Sequence, residues 1–155
     1  MKSSLSYRAV TAILLLSAAA AGCDTIPTKT SVTHLYDPHF SFSGSKTYAW
    51  VKASSYGHNP LVEANVRFVA DREFQAKGLS LAPDQPALLA WVGYEPESYY
   101  YGSSSDLRVL TLNVARADHK ELVWQGRARG SIRTDASSGE LKKAVEAMLA
   151  SFPPK

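Results

Sequence analysis

"LRVLTLNVARADHKELVWQGRARGSI", Leu107 to Ile132, decides the fold of this 155-residue chain. Leu110, Leu112 and Val114 recur at every second position in its first half. Leu122, Trp124, Ala128 and Ile132 share one parity in its second half. A period of two is that of a strand with one buried face. Asp118, His119 and Lys120 lie between the halves and supply a turn, so the stretch reads as an antiparallel hairpin. Parity also gives the hairpin a second face. Arg127 and Arg129 share it with Gln125, and Thr111 and Asn113 lie nearby.

On either side of the hairpin the pattern continues. "PALLAWVGYE" (Pro86–Glu95) is apolar on both faces, as a central strand should be. "THLYDPHFSFSGSKTYAWV" (Thr33–Val51) reads as two strands around a turn at Gly44-Ser45. Its second strand puts Tyr48 and Trp50 on one face. "NPLVEANVRFVADREFQAKG" (Asn59–Gly78) predicts a helix with Asn59 as N-cap, Pro60 in the first turn and Gly78 at the end. Val62, Val66, Val69, Ala70 and Phe74 form its apolar stripe. Near the C-terminus, Leu141, Ala144, Val145, Met148, Leu149 and Phe152 have helical spacing. Ser137 and Glu140 suit a capping box there, and Pro153-Pro154 a stop. The order is strand, strand, helix, strand, hairpin, helix. It predicts an α+β two-layer sandwich: a mainly antiparallel sheet with two amphipathic helices on one face.

The N-terminus follows different rules. Lys2 and Arg8 precede an apolar run, Ala9–Leu16, and small residues from Ser17 to Gly22 follow. The uncharged run ends at Cys23 and is shorter than the ~20 apolar residues a helical span needs. Positive charge, a short apolar run and then small residues make a secretory signal peptide. Residues 1–22 are therefore expected to be removed, residues 23–32 to act as a tether, and residues 33–155 to form one α+β domain. Cys23 is the only cysteine, so no internal disulfide supports the fold. "AAGC" (Ala20–Cys23) resembles the lipobox of bacterial lipoproteins, with Ala20 where Leu is commonest. That resemblance implies acylation of Cys23, and two or more acyl chains anchor a protein stably. Asp24 resembles the enteric sorting signal for inner-membrane retention; where it is not read so, the outer membrane is the destination.

Four further segments carry a wider resemblance: "YDPHFSFSGSKTYAW" (Tyr36–Trp50), "FQAKGL" (Phe74–Leu79), "LVWQGRA" (Leu122–Ala128) and "SFPP" (Ser151–Pro154). Their order and spacing resemble the domain of unknown function 4136 family of small bacterial lipoproteins. The resemblance implies a lipid-anchored envelope protein, and it carries no catalytic residue to transfer.

The side chains point to contacts rather than to chemistry. Lys2 and Arg8 are the only charged residues in 1–22, so 15 basic residues face 14 acidic ones in the remainder. Nucleic-acid binding needs a concentrated basic face, and none is expected here. "HLYDPH" places His34, Asp37 and His39 within six residues, but the two histidines have opposite parity, and no metal site is expected. No serine sits in a nucleophile elbow and no glycine loop suits a phosphate. No cofactor and no catalytic residue is expected, and the protein is not expected to be an enzyme. Tyr99, Tyr100 and Tyr101 stand in a loop before Gly102, and exposed tyrosines suit sugars or protein partners. With Arg127 and Arg129 they form the expected binding surface. The membrane, reached through N-terminal acyl chains, and an envelope protein are the expected partners; an envelope glycan or small molecule is the alternative.

Overall fold

A computed structural model describes residues 30–52, 59–96, 106–135 and 138–154. The strands are β1 (Ser31–Tyr36), β2 (Thr47–Trp50), β3 (Ser80–Leu81), β4 (Leu88–Pro96), β5 (Leu107–Arg116) and β6 (Leu122–Ile132). The helices are α1 (Pro60–Ala76) and α2 (Glu140–Leu149), and a 3-10 turn covers Phe42–Gly44. β1 starts at Ser31, so the strand takes in the last two residues of the expected tether.

All six strands form one sheet in the order β1-β6-β5-β4-β2-β3. The fold is α+β and the sheet is mixed. β1 with β6, β6 with β5 and β5 with β4 are antiparallel, whereas β2 pairs in parallel with both β3 and β4. The expectation of a mainly antiparallel sheet therefore needs correcting at β2. The cause is connection: α1 separates β2 from the strands that follow, and a helical crossover returns the chain in the same direction.

Register assigns the faces. Trp124 lies opposite Val114, Gly126 opposite Leu112 and Ala128 opposite Leu110. Val114, Leu112 and Leu110 lie in turn opposite Ala90, Val92 and Tyr94. This inner face meets the buried stripes of both helices in one core, with Val62, Val66, Ala70 and Phe74 from α1 and Leu141, Val145, Met148 and Leu149 from α2. Leu122, expected in the core by parity, is 46% exposed. A register shift between Val114 and Ala115 turns it outward.

Phe152 is the hub of the core. Its ring lies 5.2 Å from Phe42, 5.3 Å from Phe74 and 5.0 Å from Trp124, each edge-on. These four aromatics come one from each of the four segments that carried the family resemblance. Edge-to-face pairs add about 0.5–1.5 kcal/mol each beyond the area they bury. Phe74 continues the cluster to Tyr48, 4.8 Å away. The Tyr48 hydroxyl donates to Asp71 Oδ1 at 2.5 Å, and Trp50 Nε1 donates to the same oxygen at 2.8 Å. One carboxylate on α1 thus fixes two rings of β2. Burial, and then the hydrogen bond and charge of Asp71, push the Tyr48 phenol well above the usual tyrosine range.

The helix ends follow the sequence in part. Asn59 Oδ1 accepts the Leu61 N–H at 3.0 Å, and Gly78 takes φ 83° just after α1, a conformation that suits glycine. At α2 the N-cap position is Gly139. Ser137 lies outside the described residues. Ser138 Oγ accepts the Glu140 N–H at 3.2 Å, while Glu140 Oε2 accepts the Arg133 N–H at 2.9 Å. Glu140 therefore ties the helix start to the end of β6.

Candidate functional site

The face of the sheet away from the helices carries side chains in cross-strand rows. One row runs Trp91, Asn113, Gln125 and Leu35; the next Gly93, Thr111, Arg127 and Thr33; the third Glu95, Val109, Arg129 and Ser31. Gln125 Nε2 donates to Asn113 Oδ1 at 2.6 Å. Thr111 Oγ1 donates to the Gly93 carbonyl at 3.1 Å. That approach requires a glycine, since a Cβ on residue 93 would sit 2.6 Å from the Thr111 hydroxyl. These bonds hold the polar rows in fixed positions.

Arg127 and Arg129 lie on this face, two residues apart on β6 as parity requires. Arg108 is bonded to Glu95 Oε2 at 2.9 Å, and Arg127 lies 4.0 Å from Glu95 Oε1. The Arg127 Nε is buried with no hydrogen-bond partner among the described residues. Arg129 forms no ion pair among them. Tyr99, Tyr100 and Tyr101 lie outside the described residues, but the chain leaves β4 at Pro96 and enters β5 at Leu107, at the arginine end of the sheet. Cys23 and Asp24 also lie outside the described residues.

β1 is an edge of the sheet, pairing among the described residues with β6 alone. Its Leu35 is 67% exposed and Tyr36 52% exposed. Sequence pattern missed this edge, because the position of β1 depends on a pairing some 90 residues away. The signal available was an isolated Leu-Tyr pair on a strand with no apolar alternation.

The "HLYDPH" segment is pulled apart. His34 Nε2 donates to the Met148 carbonyl at 2.8 Å, which faces it into the helix layer. The His39 N–H donates to Asp37 Oδ1 at 2.8 Å. Among the described residues no three metal-ligating side chains gather. Asp37 and His39 instead line a cleft of about 420 Å³ with Tyr36, Phe40, Lys46 and Pro154. No helix among the described residues is long and apolar enough to cross a membrane.

A family model described as "Domain of unknown function (DUF4136)" matches residues 32–154. The chain belongs to this family. No curated protein matches the DUF4136 chain. Among solved structures it is similar to the dodecamer of a single-substitution PelC variant from Paraburkholderia phytofirmans, at 16% identity and TM-score 0.54 over 79% of this chain and 96% of that one. A second PelC dodecamer from the same organism gives 14% identity and TM-score 0.56 over 82% and 100%. A PDZ domain protein from Parabacteroides distasonis gives 13% and 0.57, with 83% of this chain matching 38% of that one. At such identities the likeness is one of fold.

Proposed function

We propose that this DUF4136 protein is exported, cut before Cys23 and acylated there, and works without catalysis through contacts with another envelope protein. It faces the periplasm, on the inner membrane where Asp24 acts as a retention signal and otherwise on the outer membrane. The observation that carries the contact reading is the β1 edge, which among the described residues pairs with β6 alone and stands beside exposed Leu35 and Tyr36. Such an edge is a ready template for another chain. Tyr99, Tyr100 and Tyr101 extend the contact surface, and Arg127 and Arg129 add an anion-facing patch. The PelC structures are dodecamers, which makes a further copy of this chain the first partner to look for.

Labelling cells with radioactive palmitate tests the anchor. The full-length chain incorporates label and sediments with membranes, and Cys23→Ala loses both; a labelled Cys23→Ala protein contradicts the assignment. In-cell crosslinking tests the contact, with Leu35→Lys expected to lower capture several-fold. A second reading, binding of an envelope glycan, is favoured by the cleft lined by Tyr36, Asp37 and Lys46, whose volume falls in the range of small-molecule sites. Calorimetric titration with envelope glycans tests it, and the absence of heat across a panel counts against it.

A further inference from the structure

We infer that the outer face of the sheet rests on anionic phospholipid headgroups, with the helices turned away from the bilayer. This rests on the anchored reading above and adds an orientation to it. The chain enters its folded body at the arginine end: Ser31 lies opposite Arg129, and a Cβ on Gly130 would sit 3.0 Å from Thr30 Cα. From Cys23 to Thr30 the chain spans at most ~25 Å at roughly 3.3–3.6 Å per residue. Whatever enters at Thr30 is therefore held close to the lipid, and the arginines enter with it.

Charge selects the face that turns down. Among the described residues the outer rows carry Arg127 and Arg129 against Glu95, and Arg108 joins them through its ion pair with that carboxylate. On the helix side, Glu63, Asp71, Glu73, Glu140 and Glu146 stand against Arg67, Arg72, Lys142 and Lys143, close to balance. The outer face is thus the more basic of the two. A basic side chain at headgroup level favours the docked state about fivefold. Arg127 and Arg129 together then bias the orientation by roughly thirtyfold before screening, and less at physiological salt.

The test uses the full-length protein, acylated in cells and reconstituted into two kinds of vesicle. One is phosphatidylcholine alone and the other phosphatidylcholine mixed with phosphatidylglycerol. Cys23 is the only cysteine, so on the acylated protein an introduced cysteine is the sole free thiol. A dye is placed at Thr33→Cys on the outer face or at Gln75→Cys on α1, both exposed positions. A headgroup-bound quencher should dim the dye at 33 several-fold more than at 75 in the anionic vesicles. That ratio should fall toward its phosphatidylcholine value in Arg127→Gln/Arg129→Gln, whose unfolding midpoint is measured as a control. An equal ratio in both vesicle types, on protein whose Cys23 acylation is verified by mass, overturns the orientation and leaves the anchor standing. If the arginine variant then also loses an acidic crosslinked protein, the patch serves that protein instead. Absence of acyl chains on Cys23 overturns the anchor and the orientation together.

Discussion

The two faces of the sheet are built from the same strands and do opposite things. On the inner face, Leu110, Leu112, Val114, Trp124 and Ala128 are buried against two helices, and Phe152 gathers the aromatics into one cluster. On the outer face, the alternate residues of the same strands form polar rows from Trp91 to Leu35 and from Gly93 to Thr33. Neither helix covers those rows. Apolar packing against the helices therefore lies on one side. The segments that carry the family resemblance meet at Phe152, so they specify a core. That is why the resemblance delivers an architecture and leaves the activity open.

Substitutions at matched positions put the two faces in opposition. The largest effect is expected at the hub. Phe152→Ala should cost about 3–5 kcal/mol in urea unfolding, because it empties a site lined by three other rings. Next comes Gly126→Ala on the inner face. Its Cβ would meet Trp124 Cη2 at 2.6 Å and Met148 Cβ at 2.9 Å, so overpacking should cost about 1–3 kcal/mol. Asp71→Ala leaves the Tyr48 hydroxyl and the Trp50 indole N–H without their acceptor, at a cost of about 1–3 kcal/mol. On the outer face, Arg129→Gln should change stability by less than about 0.5 kcal/mol. A large loss there would erase the distinction between the faces.

Alkaline titration probes the inner face by another route. Tyr48 binds its proton more tightly folded than unfolded, because burial and Asp71 raise its pKa. Its contribution is complete below the unfolded tyrosine value of about 10 and is lost as pH rises from there toward the folded value. Stability should therefore decline above about pH 10. Tyr48→Phe should flatten that decline in urea midpoints measured across the range. An unchanged slope would clear Tyr48 of any part in it.

The inner face was legible in sequence and the sheet order was not. Alternation at Leu110, Leu112 and Val114 located β5, and Asn59, Pro60 and Gly78 bounded α1, because these signals act within a few residues. Leu122 misled because a one-residue register shift moves a side chain across the sheet. The parallel pairing of β2 with β4 and the edge position of β1 depend on contacts far apart in the chain, which no local period encodes. Of the expected surface, Arg127 and Arg129 could be placed on one face by parity alone. The short β3, pairing only through Thr47–Ser80 and Tyr48–Leu81, has too few residues to show a pattern.

If the β1 edge and outer face make the contacts while the inner face holds the fold, the two should be separable in one variant. The decisive measurement is in-cell crosslinking of full-length Leu35→Lys, with its urea midpoint taken on the same preparation. Several-fold weaker capture of the partner at an unchanged midpoint is the expected result. Undiminished capture, or capture that falls only together with stability, would show that the edge is not where the partner binds.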